Sequence, residues 1–417
     1  SENSAMPTVM PTIPEVFVIW HPACPFGETL ARRIYQWLRP GNGLGPEVFY
    51  RSLPAPEAPP GGLPPPLPGE HRPGGPPAPA APAGSQPRRL QIAILLIDDN
   101  MIADAGWRHW LNTLVLTPGT GTRELLPVAL DSTAYNVPER LRDLNFLRPT
   151  GDPKTDLEGV ARSLLKQLTE TLTRLLLSRS AAHAGVAGDA PKLTIFLSHA
   201  KADGVHPALR IRDYIYGKTQ LAAFYDENDI PYGSGFSRVL EGALQGADTA
   251  ALIAVRSTRY ASRPWCRREI SLFRRPRQEA PGVGLAGRWQ LSPVVVVDAL
   301  ESGAHSGGIP EFGNAPLIRW SDEVADQEEH IVTTVLRDAL LAAFHRGLGR
   351  TMPDEADCVI LNWVPDPTTL LHIPRIRSAT EQLRVFYPGR GLTGLELEIL
   401  DESFPQLTFR SFDQAES

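Results

Sequence analysis

Trp265 and Glu269 stand four residues apart in the run Ser257-Thr-Arg-Tyr-Ala-Ser-Arg-Pro-Trp-Cys-Arg-Arg-Glu269. On a helix that spacing puts an aromatic plate and a carboxylate on one face. Such a pair suits cleavage of a glycosidic bond to a cationic base. The base departs neutral, so the leaving group needs no general acid, and one carboxylate beneath the sugar offsets the oxocarbenium-like charge. The run follows an apolar stretch over 250–255 that reads as a buried strand. An earlier apolar stretch, 193–197, leads into Ser198-His199-Ala200-Lys201-Ala202-Asp203, so both loops begin where a strand ends.

The elements that must position these residues recur in order. Continuous Val/Ile/Leu strands alternate with amphipathic helices, which signals parallel sheet covered on both faces. The first half reads as strands over 15–20, 47–50, 90–97 and 125–130, with helices over 28–38, 102–116 and 157–177. A joint rich in Ala and Gly over 178–191 precedes the second half. There, strands over 193–197, 222–225, 249–255, 293–297 and 316–320 alternate with helices over 207–216, 236–244 and 326–346. A last stretch reads as β-α-β-α-β. The expected organisation is two tandem units of one fold, 14–178 and 192–346, and a small C-terminal α/β unit, 355–413. Fourteen of the 41 prolines fall between Pro54 and Pro87. The insertion over 52–88 is therefore expected to be extended or disordered, because it lacks backbone donors and apolar content.

The composition excludes several classes. Across 417 residues, 42% are hydrophobic and the formal net charge is −6, without a block of like charge, so no footprint for nucleic acid or an anionic membrane surface is present. Cys24, Cys266 and Cys358 are odd in number and far apart, which suggests neither a disulfide framework nor a metal site. A reducing, cytoplasmic setting is the expectation.

Three blocks together carry a family resemblance. They are Ile195-Phe196-Leu197-Ser198-His199-Ala200-Lys201-Ala202-Asp203, Phe224-Tyr225-Asp226-Glu227-Asn228-Asp229-Ile230-Pro231-Tyr232-Gly233, and Ser262-Arg263-Pro264-Trp265-Cys266-Arg267-Arg268-Glu269. In this order and at these distances, residues 192–346 resemble a Toll/interleukin-1 receptor (TIR) domain of the bacterial kind, and 14–178 looks like a degenerate second copy. The resemblance implies a flavodoxin-like doubly wound sheet, with ligands bound outside the strands' carboxyl ends. Many bacterial members hydrolyse NAD⁺ to nicotinamide and a linear or cyclised ADP-ribose product, and their catalytic glutamate matches Glu269. The resemblance therefore implies NAD⁺ as a substrate rather than a bound cofactor, with no metal. It also implies activation by self-association, since one domain's lid completes a neighbour's site, and a role in antiviral defence or NAD-derived signalling triggered by a partner or small molecule.

Within that frame Ser198, His199 and Asp203 are candidates for ribose or phosphate contacts. Phe224, Tyr225 and Tyr260 are candidates for stacking on a ring. Asp226 and the loop through Ile230 and Gly233 would form the lid, and Trp265 would buttress the helix and wall the site. Competing readings stay open: a scaffold that recruits other TIR domains without turnover, and a nucleoside deoxyribosyltransferase-like enzyme. Cys266 reads as a buried structural thiol rather than a nucleophile. In the first copy the positions four after Trp110 and Trp107 are Leu114 and Leu111, so no carboxylate is available and a catalytically dead copy is expected.

Overall fold

Parallel strands joined by crossover helices are covered on both faces, which is why the central strands of this chain read as nearly continuous apolar runs. A computed structural model describes residues 12–41, 43–53, 62–70, 72, 88–116, 123–144, 146–183, 193–219, 222–225, 249–279, 287–305 and 307–415. Contacts divide the chain into residues 1–168 and 169–417.

The first unit contains β1 (Thr12–Trp20), α1 (Gly27–Leu38), β2 (Glu47–Arg51), β3 (Arg88–Ile97), α2 (Asp99–Ala103), α3 (Ala105–Leu116), β4 (Arg123–Ala129) and α4 (Glu139–Arg142). Its sheet is wholly parallel, in the order β2-β1-β3-β4. An isolated parallel bridge from Val128 to Leu147 adds a single residue where a fifth strand would stand. On one sheet face Phe17, Ile19, Ala93, Leu95 and Ile97 pack with Trp107, Trp110, Leu111 and Leu114 of α3.

The proline-rich insertion departs from expectation in its middle. Residues 62–70 pack onto this face through Leu63 and Leu67, and Leu67 is 2% exposed. Buried Glu70 accepts from Trp110 Nε1 at 2.8 Å and from the Leu67 amide at 2.8 Å, and it pairs with Arg72. Pro68 O accepts from Gln91 and Arg123. Composition argued for disorder, but two leucines and one carboxylate suffice to pin a short strap where a crossover helix would otherwise cover the sheet.

The helix α5 (Leu157–His183) outruns the expected end at 177, and the division between units falls within it. The additional turn contains Arg179, Ala181 and Ala182, all good helix formers.

The second unit continues with β5 (Leu193–His199), α6 (Val205–Lys218), β6 (Ala222–Tyr225), β7 (Thr249–Arg256), α7 (Pro264–Phe273), β8 (Arg277–Gln278), β9 (Arg288–Gln290), β10 (Val294–Asp298), β11 (Leu317–Arg319) and α8 (Gln327–Gly349). The order β6-β5-β7-β10-β11 is all parallel and is the doubly wound 2-1-3-4-5 arrangement. Ile195, Leu197, Ile253, Val255, Val295 and Val297 pack against α6 and α8 on one face. Phe196, Leu252, Ala254, Val294 and Val296 pack against Cys266, Ile270 and Phe273 of α7 on the other.

A third sheet runs β14-β13-β12-β9-β8, from β12 (Cys358–Leu361), α9 (Pro367–Leu371), α10 (Pro374–Arg377), β13 (Leu383–Tyr387), α11 (Gly394–Ser403) and β14 (Leu407–Ser411). Its β8–β9 pair is antiparallel and comes from within the TIR-like region, immediately after α7. Gly287 permits this junction: a Cβ there would stand 2.5 Å from Cys358 O. Helix α8 serves both sheets, since Leu348 packs with Met352, Cys358, Ile360, Phe386 and Phe412.

Two expectations follow. Leu67→Ala removes the strap's main apolar anchor and is expected to cost about 2–4 kcal/mol in urea unfolding of the first unit. His345 on α8 is 5% exposed, and burial pushes its pKa down to about 3. The folded imidazole therefore stays neutral while the unfolded one takes a proton below about 6.5, so this contribution is lost as pH falls from 6.5 toward 3. Between pH 7.5 and 5 the stability of His345→Gln relative to the wild type is expected to rise by about 2 kcal/mol, measured by urea unfolding at each pH.

Candidate active site

The order of the second sheet reverses between β5 and β7, so the loops leaving these strands flank the place where such sheets bind ligands. Ser198 and His199 are the last residues of β5, in register with Ala254 and Val255 of β7. Past the strand ends the ladder no longer holds the chains, and side chains take over. Asp203 Oδ1 accepts from Ser257 Oγ at 2.6 Å, and Asp203 Oδ2 accepts from the Arg259 amide at 2.9 Å. Beneath this tie, the Ser198 and Tyr260 hydroxyls share a buried hydrogen bond of 2.6 Å. Tight turns complete both loops: the Gly204 amide donates to Ala200 O at 2.8 Å, and the Tyr260 amide to Ser257 O at 3.1 Å.

The loop after β7 feeds directly into α7. Pro264 occupies the first turn, where its missing N–H costs nothing. Cys266, Ile270 and Phe273 recur at helical spacing and form the buried stripe. Glu269 borders that stripe and is half-buried. Its charge reaches inward: burial first, and then the Glu269 carboxylate, hold the Tyr260 phenol well above its usual range. Burial and then Glu269 likewise push the Cys266 thiol up to about 12. Both groups are neutral near pH 7, so the buried Cys266 fits a structural thiol, and Glu269 stands beside neutral polar groups.

Several sequence candidates take different parts from those expected. Trp265 is 52% exposed, with the Arg268 guanidinium 5.9 Å from its ring centroid. The spacing to Glu269 holds, and the aromatic lies on the solvent side of the shared face. Ser198 and Tyr260 are 1% and 0% exposed, so their hydroxyls face each other under the loops and present no surface for stacking or for a sugar. Asp203 spends both oxygens on the neighbouring loop and does not cap α6, whose N-cap is Gly204. His199 is buried at the end of β5. Phe224 and Tyr225 lie in the edge strand β6, with backbone placement alone described. Asp226, Ile230 and Gly233 lie outside the described residues.

One residue escaped the sequence reading. Arg256 ends β7, and strand alternation places it on the face that α7 covers. Its Nε is buried without a hydrogen-bond partner. The available signal was a cation closing an otherwise apolar strand.

Against known proteins, a TIR domain is found at residues 195–311. No curated protein matches the chain. Among solved structures, a crystal structure from Clostridium novyi NT, assigned as a tagatose-6-phosphate ketose/aldose isomerase, is 10% identical over 82% of this chain and 80% of that one. Its TM-score of 0.19 is too low to carry any argument.

Asp203→Ala is expected to release the loop after β7. Amide exchange at Arg259 should accelerate at least about tenfold, the loss of one charge-assisted hydrogen bond. Unchanged protection at that amide would show that the loop is held by other means.

Proposed function

We propose that the TIR domain at residues 195–311 hydrolyses NAD⁺ at the nicotinamide–ribose bond, with Glu269 as the catalytic carboxylate. The observation that carries this reading is the position of Glu269: half-buried on α7, beside Tyr260 and Cys266, next to the loops of β5 and β7 at the sheet's switch point. A dinucleotide bound across those strand ends brings its ribose to the carboxylate. The C–N bond breaks with its electron pair passing to the pyridinium nitrogen, so nicotinamide leaves neutral. Glu269 holds the ribose hydroxyls and offsets the charge at the anomeric carbon. Water then adds there, giving ADP-ribose and a proton. Arg256, a cation at the same end of the sheet, suits the pyrophosphate. Ser198, Tyr260 and Asp203 act in this reading by positioning the loops.

The resemblance also supports activation by self-association in a cytoplasmic defence or signalling role, with an outside trigger. Among the described residues no helix is long and apolar enough to cross a membrane. The first unit shares the order 2-1-3-4 but carries buried Leu111 and Leu114 where a carboxylate would be needed, which supports reading it as a non-catalytic partner copy.

The test is nicotinamide release from NAD⁺ by the full chain at concentrations where light scattering reports self-association. Glu269→Gln is expected to lower the rate at least about a hundredfold without abolishing assembly. An assembled wild type that releases no nicotinamide would favour a non-catalytic scaffold. Base release from nucleosides in place of NAD⁺ would favour a deoxyribosyltransferase-like activity.

A further inference from the structure

Two short helices of the second unit break the same electrostatic rule with opposite signs. A helix favours anions in its first turn and cations in its last. Helix α7 starts on Arg263 and has no acidic residue in its first turn, and Arg267 and Arg268 follow at once. Helix α11 carries Glu398, Asp401 and Glu402 and no basic residue, and the last two stand in its final turn. Glu398 and Glu402 are also four apart, so like charges face each other on one side of the helix. Its remaining acid, Glu396, is the capping-box partner of Thr393 and stands where the dipole wants it.

Each misplaced set of charges lies beside an uncovered apolar side chain. Trp265 is 52% exposed, and Arg268, one turn on, lies 5.9 Å from its ring centroid. On α11, Leu395 and Ile399 are 67% and 45% exposed. They share a face with Glu398 and Glu402, while Leu400 turns into the core of the third sheet. Arg267 pairs with Glu311 at 3.3 Å, but among the described residues Arg263, Arg268, Glu398 and Glu402 join no ion pair. Neither surface is covered within one chain. Helix α7 runs into β8 at one edge of the third sheet, and α11 runs into β14 at the other, four strand spacings of ~4.8 Å away. One molecule thus presents a basic aromatic surface and an acidic aliphatic one, and a second copy carries the matching face for each.

We propose that α11 of one copy docks on the Trp265 face of α7 in the next. Trp265 packs against Leu395 and Ile399, and the arginines at the start of α7 meet the acids at the end of α11. Each helix then receives the charge that its own dipole lacks. An exposed Trp flanked by Arg is the residue pair that most often dominates protein interfaces. The two surfaces differ, so the contact is heterologous and extends head to tail into rings or filaments. Trp265 and Glu269 share a face, so docking sets the neighbour's helix at the rim of the candidate site. The proposal gives the self-association put forward above its surface and rests on that part of the reading; it stands whether or not Glu269 cleaves NAD⁺.

Sedimentation velocity of the full chain over a concentration series, at low and high chloride, tests it. Assembly is expected to grow with protein concentration and to weaken as chloride screens the exposed charges. Trp265→Ala, Arg268→Glu and Glu402→Arg should each weaken it at least about tenfold. Glu402→Arg is expected to hold or raise the urea midpoint, because it replaces a like-charge pair with an opposite one and puts a cation at the helix end. Its loss of assembly is therefore separable from misfolding. The Arg268→Glu protein keeps an intact α11 face and the Glu402→Arg protein an intact α7 face. Their equimolar mixture should assemble at concentrations where neither does alone. A mixture that stays monomeric, or a wild type whose assembly survives all three substitutions, overturns this docking alone. A wild type that is monomeric throughout the series overturns it together with the proposed self-association.

Discussion

The Asp203 carboxylate is the hinge pin of the second sheet's carboxyl end. Two neighbouring strands finish there, and the connections leaving them diverge because the strand order reverses. Backbone pairing has stopped, so the gap between the loops must be bridged by something else. One carboxylate reaches a hydroxyl and an amide on the other loop, and the Ser198–Tyr260 pair sits beneath it, out of water. A charged acceptor with two satisfied oxygens makes a stronger tie than a neutral one. The loop so held runs straight into α7, and the position of Glu269 follows from it.

Helix α7 is also held at its other end. It passes within three residues into β8, the edge of the third sheet, and that sheet shares α8 with the TIR sheet. The Glu269 helix is therefore suspended between two sheets, and a change at either sheet reaches it through covalent chain. The first unit ties its strand ends with a related device. Asp131 accepts from the Thr133 amide and also, at 2.9 Å, from the Asp99 amide just after β3, while Asp98 and Asp104 accept from the Met101 and Gly106 amides and His21 pairs with Asp104. There the carboxylates both cap helices and link neighbouring loops.

Legibility followed burial. Strands β1, β3, β5, β7 and β10 are apolar on both faces, so their continuous runs stand out in sequence. The spacing on α7 was legible for the same reason, because Cys266, Ile270 and Phe273 mark its inner stripe. What spacing cannot tell is which flank of the stripe faces water. Trp265 is the exposed member of the pair, while Glu269 on the same face is half-buried. The strap over 62–70 was hidden by its surroundings, since two leucines among prolines have no period. Strands β8 and β9, two and three residues long, are too short to show alternation and were invisible.

By itself the sequence determined the class of fold, the succession of its longer apolar strands, and the blocks that mark residues 195–311, because each is written in local runs of residue type. Only the tertiary structure decided what those residues touch. It turned Asp203, Ser198 and Tyr260 from ligand candidates into ties between loops, and it brought Arg350 to Glu279 across a long stretch of chain. Such pairings depend on how strands from distant segments come into register, and no local pattern of residues encodes that.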